Sequence, residues 1–393
     1  MRNIYSKSVL LLLLLAATVF SSCENDDDSQ SPAIVQEDIA AIDNQVAAYM
    51  ATYKVPGASL AISKDGKLVY RKAYGFADES TKEAVTVNHR FRVASISKTI
   101  TSVAVLKLIE EGKLTLDQTV FGPTGILGTT YGTKAYSANL SKITVRDLLQ
   151  HTSGGWRNFV DDPAFSQPSL TADELIAWGL DNVPLAYTPG TRYHYSNFGY
   201  LILGRIIEKV SGKTYEDHVK SSLLNPLGAT NTEIAGDNEA DKKTDEVNYY
   251  SQNSESPYTS YAITRNDAPM GWISTPTDLL RLMTAVDSTN TRPDILNGQS
   301  LATFSTPASF TANHAKGIFY YKDPQAGPVW FVYGSLPGTH TFAFRAKSGY
   351  TVAFLTNTRF DANYQGSSDA MSDMLLQIIN DNSIPWQAID QFE

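Results

Sequence analysis

The strand-forming sequence of this chain is split between its two ends, and that split restricts the fold more than any other feature. Ala58 to Ser63 and Leu68 to Tyr74 are β-type runs about Asp65-Gly66, a dipeptide that accepts positive φ and so marks a hairpin turn. Three more such runs, Val329 to Tyr333, Phe342 to Ala346 and Thr351 to Thr356, appear only near the C-terminus, with Lys347-Ser348-Gly349 as a turn. Between the two sets the chain reads as helices and loops. Val145 to Gln150, Ala172 to Trp178, Asn197 to Val210 and Tyr215 to Leu224 carry apolar residues at helical spacing, punctuated by Gly and Pro. Amphipathic helices are expected from Ile34 to Ala51 and from Ala370 to Ile379. The expected fold is therefore α/β (α+β): a discontinuous antiparallel sheet flanked by helices, with an inserted, mostly helical subdomain. Such an insertion leaves a cleft where small-molecule sites form.

A chain of 393 residues with 42% hydrophobic content can bury a large core. The formal net charge of -9 and the lack of any Lys/Arg run argue against a nucleic-acid partner. At the N-terminus, Arg2 and Lys7 precede an apolar run from Val9 to Phe20 and then Ser21-Ser22-Cys23, the layout of an export signal. That run is shorter than the ~20 residues needed to span a bilayer. Cys23 is the one cysteine, which excludes an internal disulfide and a thiolate metal cluster. The segment is similar to a bacterial lipobox, with Phe20 where Leu is usual, so residues 1–22 are expected to be a lipoprotein-type signal and Cys23 a lipidation site. Residues 23–33, acidic and rich in Ser, Gln and Pro, read as a tether. A membrane contact through the lipid follows, in the bacterial cell envelope. The folded domain is expected over 34–385, with its α/β part at about 34–115 and 268–385 and its helical part at about 116–267.

Ser95 and Lys98, in Ser95-Ile96-Ser97-Lys98, are three residues apart, and an apolar stripe of Ile100, Val103, Ala104, Leu106 and Ile109 follows. If a helix begins here, the amine and the hydroxyl share one face at the mouth of a buried helix. The free N–H groups of such a terminus favour developing negative charge. Burial and the same field disfavour a charged lysine, leaving an amine able to accept the proton of Ser95.

Phe91-Arg92-Val93-Ala94-Ser95-Ile96-Ser97-Lys98 resembles the first motif of the penicillin-recognising serine hydrolases, the family of class C β-lactamases, DD-peptidases and related esterases. Leu148-Leu149-Gln150-His151-Thr152-Ser153-Gly154, Pro189-Gly190 with Tyr195-Ser196-Asn197, Pro226-Leu227-Gly228 and Gly271-Trp272-Ile273-Ser274-Thr275 agree with it in order and spacing. The resemblance covers roughly residues 38 to 380 and implies a β-lactamase/transpeptidase-like fold. It maps the family's Tyr-x-Asn onto Tyr195 and Asn197: a phenol that relays a proton to the leaving group, and an amide that holds the substrate and the lysine amine. Without that context Tyr195 is one of 21 tyrosines and reads as a core aromatic.

The third motif departs from the family. Where Lys-Thr-Gly or His-x-Gly is usual, the chain has Val332-Tyr333-Gly334-Ser335, and valine offers neither charge nor donor. The resemblance implies that Gly334 lets the strand approach the substrate and that the N–H of Ser335, with that of Ser95, forms the oxyanion hole. His340, Arg345 and Lys347 are near in sequence but read as solvated or structural. The six histidines show no metal-ligand spacing, and neither metal nor cofactor is expected. No glutamate is placed as a dedicated deacylating base. The expected function is an envelope serine hydrolase acting on a small-molecule or peptide substrate through an acyl-enzyme at Ser95, a D-Ala-type peptidase or an esterase. The alternatives are a true β-lactamase and, from another class, a penicillin or muropeptide sensor without turnover.

Overall fold

Asp65 and Gly66 both adopt positive φ, 48° and 79°, so the first hairpin closes where the turn dipeptide stands. A computed structural model describes residues 38–392 apart from 290, 309, 312 and 321–327. The expected signal, Cys23 and the tether lie outside the described residues, as does the Ile34 end of the first helix. The main sheet has seven strands: β1 (Gly57–Lys64), β2 (Lys67–Asp78), β3 (Glu83–Ala84), β4 (Phe319–Tyr320), β5 (Pro328–Leu336), β6 (Thr339–Ala346) and β7 (Tyr350–Thr356). Their order is β3-β2-β1-β7-β6-β5-β4, antiparallel throughout. The two ends of the chain meet at the β1/β7 pair, in register from Ala58 opposite Thr356 to Lys64 opposite Tyr350.

Alternation along the strands divides the core in two. Leu60, Ile62, Phe342, Phe344, Val352 and Phe354 face α1 (Ala40–Tyr53) and the C-terminal helix, through Ile42, Val46, Met371 and Leu375. Ala61, Ala343, Ala353 and Leu355 belong to the second core, which runs without a break into the helical part. Small residues there let helix Pro276–Thr284 pack against β1 and β7. The body continues past 385: Gln391 N–H donates to Leu68 O (2.9 Å), Asp390 accepts from Leu68 N–H (3.0 Å), and Phe392 is buried.

At the centre lies α2 (Ser97–Glu110), in which every residue from Ser97 to Leu106 is buried. A helix buried on every side leaves no polar side chain to water, and those of α2 bond inside the core: Thr99 donates to Gly317 O (2.7 Å) and Thr101 to Ala268 O (2.7 Å). The expected helices at 145–150, 172–178 and 197–210 appear as Val145–Leu149, Ala172–Asn182 and α3 (Asn197–Ser211). The run from Tyr215 is a short α-helix to Val219 that passes into a π-helical turn to Leu224.

Candidate active site

Ser95 does not open α2 itself. It sits in a 3-10 turn, Ala94–Ile96, and the α-helix begins at Ser97. Ala94 is held at φ 46°, a left-handed conformation that a residue with a Cβ adopts at a cost. The turn lifts Ser95 to partial exposure among buried neighbours. Val93 N–H is tied to Trp272 O (2.9 Å), and Phe91–Arg92 pairs with Trp272–Ser274, so two of the segments that carry the family resemblance are hydrogen-bonded to each other.

One turn on, the Lys98 amine donates to Ser95 Oγ (3.2 Å), Asn197 Oδ1 (2.8 Å) and the carbonyl of Pro269 (2.9 Å). Lys98 is 2% exposed. Burial lowers its pKa to about 7, with the charge of Asp162 pulling the other way. An amine so placed is available in its neutral form near neutral pH, within reach of the hydroxyl. Its Nζ also lies 4.8 Å from the centroid of the Tyr195 ring. The Tyr195 phenol shares a hydrogen bond with Ser95, and burial raises its pKa well above the usual value, so the group is a proton donor throughout the ordinary range.

Asn197 is the first residue of α3, behind the N-cap Ser196. Asp162, absent from the sequence-based expectations, fixes this helix start: it accepts from Asn197 N–H (2.6 Å), Phe198 N–H (3.1 Å) and Ala164 N–H (3.1 Å). Burial raises its pKa to about 6 against those three donors. Asn158 holds the Asn197 side chain as well, accepting from Nδ2 (3.1 Å). His151 stacks on Tyr195 at 4.4 Å and accepts from Ser196 N–H (3.1 Å). Its pKa is pushed well below the usual value by burial, so it supports Tyr195 as a neutral ring. His194 is turned to Tyr187, ring on ring at 5.1 Å.

Ser95, Tyr195, Asn197 and Ser335 line one cavity of about 390 Å³, walled by Phe159, Phe165, Tyr261, Met270, Tyr333 and Leu336. No carboxylate is among the described residues that line it. A larger hollow, about 550 Å³, opens near Gln150, Thr303 and Lys316 and contains none of these groups. Lys316 there donates to Thr306 O (3.0 Å) at the end of helix Gly298–Ser305, which is capping.

Tyr333 and Ser335 face the cleft, while Val332 is 3% exposed within the core. Gly334 also serves a contact within the protein: a Cβ there would lie 2.2 Å from Val93 O and 2.2 Å from Thr341 Oγ1. The missing side chain admits the backbone before Ser95. Of the nearby polar residues, His340 is buried against Ser368 (2.9 Å), Arg345 pairs with Asp287 (3.2 Å) and Lys347 is exposed. Among the described residues, the charged side chain that lines the cleft is Arg359, from the short strand Thr358–Arg359.

Sheet, central helix and the serine–lysine–tyrosine cluster at their junction together define a β-lactamase-type fold with a nucleophile-and-base pair in its cleft. The chain belongs to the Beta-lactamase family, whose model matches residues 42–371. It is 26% identical over 329 residues to penicillin-binding protein 4* of Bacillus subtilis (strain 168), covering 77% of this chain and 68% of that one. It is 29% identical over 224 residues to protein flp of Staphylococcus aureus (strain N315), 57% of this chain, and spans only 44% of that protein's length. Among solved structures, the octameric penicillin-binding protein homologue from Pyrococcus abyssi superposes with TM-score 0.69 at 27% identity, over 87% of this chain and 78% of the other. The D-amino acid amidase from Ochrobactrum anthropi SV3, complexed with L-phenylalanine amide, gives TM-score 0.70 at 24% identity over 87% and 98%, a likeness of fold.

Proposed function

We propose that this protein hydrolyses a D-Ala-type peptide bond, or an ester, through an acyl-enzyme on Ser95. The carrying observation is the Lys98 amine, buried and 3.2 Å from Ser95 Oγ. Neutral Lys98 takes the hydroxyl proton as Ser95 Oγ bonds to the substrate carbonyl carbon, and the N–H groups of Ser95 and Ser335 receive the oxyanion. Tyr195 gives its proton to the leaving nitrogen or oxygen as the scissile bond breaks, and regains one from Lys98. In the second half water adds to the ester carbon, its proton passing to the Tyr195/Lys98 pair, and Ser95 leaves as the alcohol. The carboxylate-free lining supports giving both halves to this pair. It also supports a peptidase or esterase over a fast β-lactamase, because a β-lactam's leaving group stays tethered to the acyl-enzyme and hinders water, whereas a peptide or ester leaving group departs.

The test is labelling with a fluorescent penicillin alongside turnover of p-nitrophenyl esters and nitrocefin. Covalent labelling and ester turnover, both lost in Ser95→Ala, are expected. Equal ester hydrolysis by Ser95→Ala would overturn the reading, rapid nitrocefin turnover would make the protein a β-lactamase, and labelling without any turnover would make it a sensor. The working place is proposed to be the bacterial envelope, with lipid on Cys23. Metabolic labelling with a clickable fatty acid should mark the full chain and not Cys23→Ala; equal labelling of both excludes the anchor.

A further inference from the structure

The hollow of about 550 Å³ near Lys316 is walled by polar side chains whose hydrogen-bonding capacity the fold leaves partly unused. Lys316 is 1% exposed, and for its three donors it has one acceptor among the described residues, Thr306 O at 3.0 Å. Gln150 is 8% exposed on the same lining, and its side-chain amide makes no hydrogen bond to a described residue. A buried amide in that state requires a partner from outside the chain. Arg146 also lines the hollow, giving Nε and Nη2 to the largely exposed Asp117 (2.7 and 2.8 Å). Gln299 and Thr303, from helix Gly298–Ser305, add further donors.

Charge on this lining is unbalanced. Burial and then the Arg146 guanidinium lower the Lys316 pKa to about 8, so at neutral pH both groups are charged and repel each other. Asp147 is the one carboxylate among the described residues of the lining, and both its oxygens are engaged. Oδ2 accepts from Thr144 N–H (3.0 Å) and Thr144 Oγ1 (2.7 Å), and Oδ1 accepts from Thr152 Oγ1 (2.8 Å). A buried ammonium without a counter-charge is unfavourable, and an anion in the hollow would offset that. Water could satisfy Gln150 but would bring no charge. The volume falls within the roughly 300–1,000 Å³ of small-molecule sites, room for more than a bare ion.

We propose that this hollow is a second, non-catalytic site for the oxyanion group, carboxylate or phosphate, of a small molecule, with Lys316 as its counter-charge and Gln150 and Arg146 as flanking donors. Its lining shares no residue with that of the catalytic cleft, and the site stands whatever Ser95 does. A thin wall divides the two. Gln150 precedes His151, which stacks on Tyr195 at 4.4 Å, and Gly317, next to Lys316, accepts from Thr99 beside Lys98.

The test is calorimetric titration of inorganic phosphate and of citrate, at constant ionic strength, into the full chain carrying Ser95→Ala, with thermal melts of the same mixtures. At least one of the two should bind and raise the melting temperature, and which one does so separates phosphate-bearing from carboxylate-bearing ligands. Lys316→Met should weaken that binding roughly tenfold, the scale of a lost charge-assisted contact. Because Lys316 also caps a helix, Gln150→Met is the second variant. It breaks no bond to a described residue, so its melting temperature without ligand should not fall, while binding weakens severalfold. Lys347→Met, at an exposed lysine outside the hollow, should bind as its parent does. Absence of binding by both anions at about 10 mM, or binding that Lys316→Met and Gln150→Met both retain, overturns the proposal. Binding lost in Arg359→Gln but kept in Gln150→Met would put the anion in the cleft and overturns it as well.

Discussion

Lys98 is an ammonium group taken out of water and given a hydroxyl, an amide oxygen and a peptide carbonyl, with no carboxylate within ion-pair distance among the described residues. Its preference for the charged form falls accordingly, to a pKa of about 7. If the neutral amine is the base, kcat/KM should rise with pH through about 7 as Lys98 loses its proton, and the Tyr195 phenol, shifted far upward, should add no falling limb at moderately alkaline pH. Asp162 gives the sign test. Its carboxylate, titrating near 6, is ionised over most of this limb and raises the Lys98 pKa. Asp162→Asn removes that charge, so the rising limb should move to lower pH, while two donor groups near Asn197 lose an acceptor and the melting temperature falls. A pH–rate profile that stays in place or moves upward would show that Asp162 only holds the helix start. Asp162 was invisible in the sequence because its partners, Asn197 and Phe198, lie 35 and 36 positions away. Ser95 and Lys98 were legible because a single helical turn joins them.

At the level of elements, the site is a contact between the turn before α2 and the strand β5. Thr341 on β6 donates to Val93 O (3.3 Å) and to Gly334 O (3.3 Å), tying the two together. The vacancy at Gly334 allows this approach, since a methyl group there would sit inside the Val93 carbonyl. Gly334→Ala should therefore destabilise the protein by about 1–3 kcal/mol, the cost of overpacking a filled site. The displaced turn should also lower kcat, on the order of 10²-fold for a shift of about an ångström. Thermal melts with steady-state kinetics decide it: a variant that keeps both stability and kcat would show that β5 does not position Ser95. The strands themselves were readable from Asp65-Gly66, Lys347-Ser348-Gly349 and the alternation between them, because turn chemistry and side-chain period are local. Arg359 escaped notice for the opposite reason. His340, Arg345 and Lys347 are the basic residues near Val332 along the chain, whereas two antiparallel reversals carry residue 359 back to Ser335.

Across the whole molecule, β1 meets β7 only after almost all of the described chain lies between them, with Gly57 N–H bonded to the Asn357 side chain (2.7 Å) and Ala58 facing Thr356. That closure is the least local feature of the fold, and contacts of this kind slow folding because loop entropy is lost before pairing compensates. The helical part offers no independent refuge. Its core residues, Leu148, Phe198, Leu201 and Ile206, belong to the same continuous cluster as Val103 of α2, Val332 of β5 and Ala343 of β6. Without β5, β6 and β7 the β1/β2 hairpin is a pair of strands with one edge and one face bare, which is marginal in water, and α2 loses the wall that buries it. A fragment of residues 1–310 should therefore show helix by far-UV circular dichroism, yet no cooperative melt, and limited proteolysis should digest it without a stable intermediate, while the full chain yields a resistant core. A protease-stable product covering about 116–267 from that fragment would mean that the helical part folds on its own, and that the sheet closes around a preformed body rather than building it.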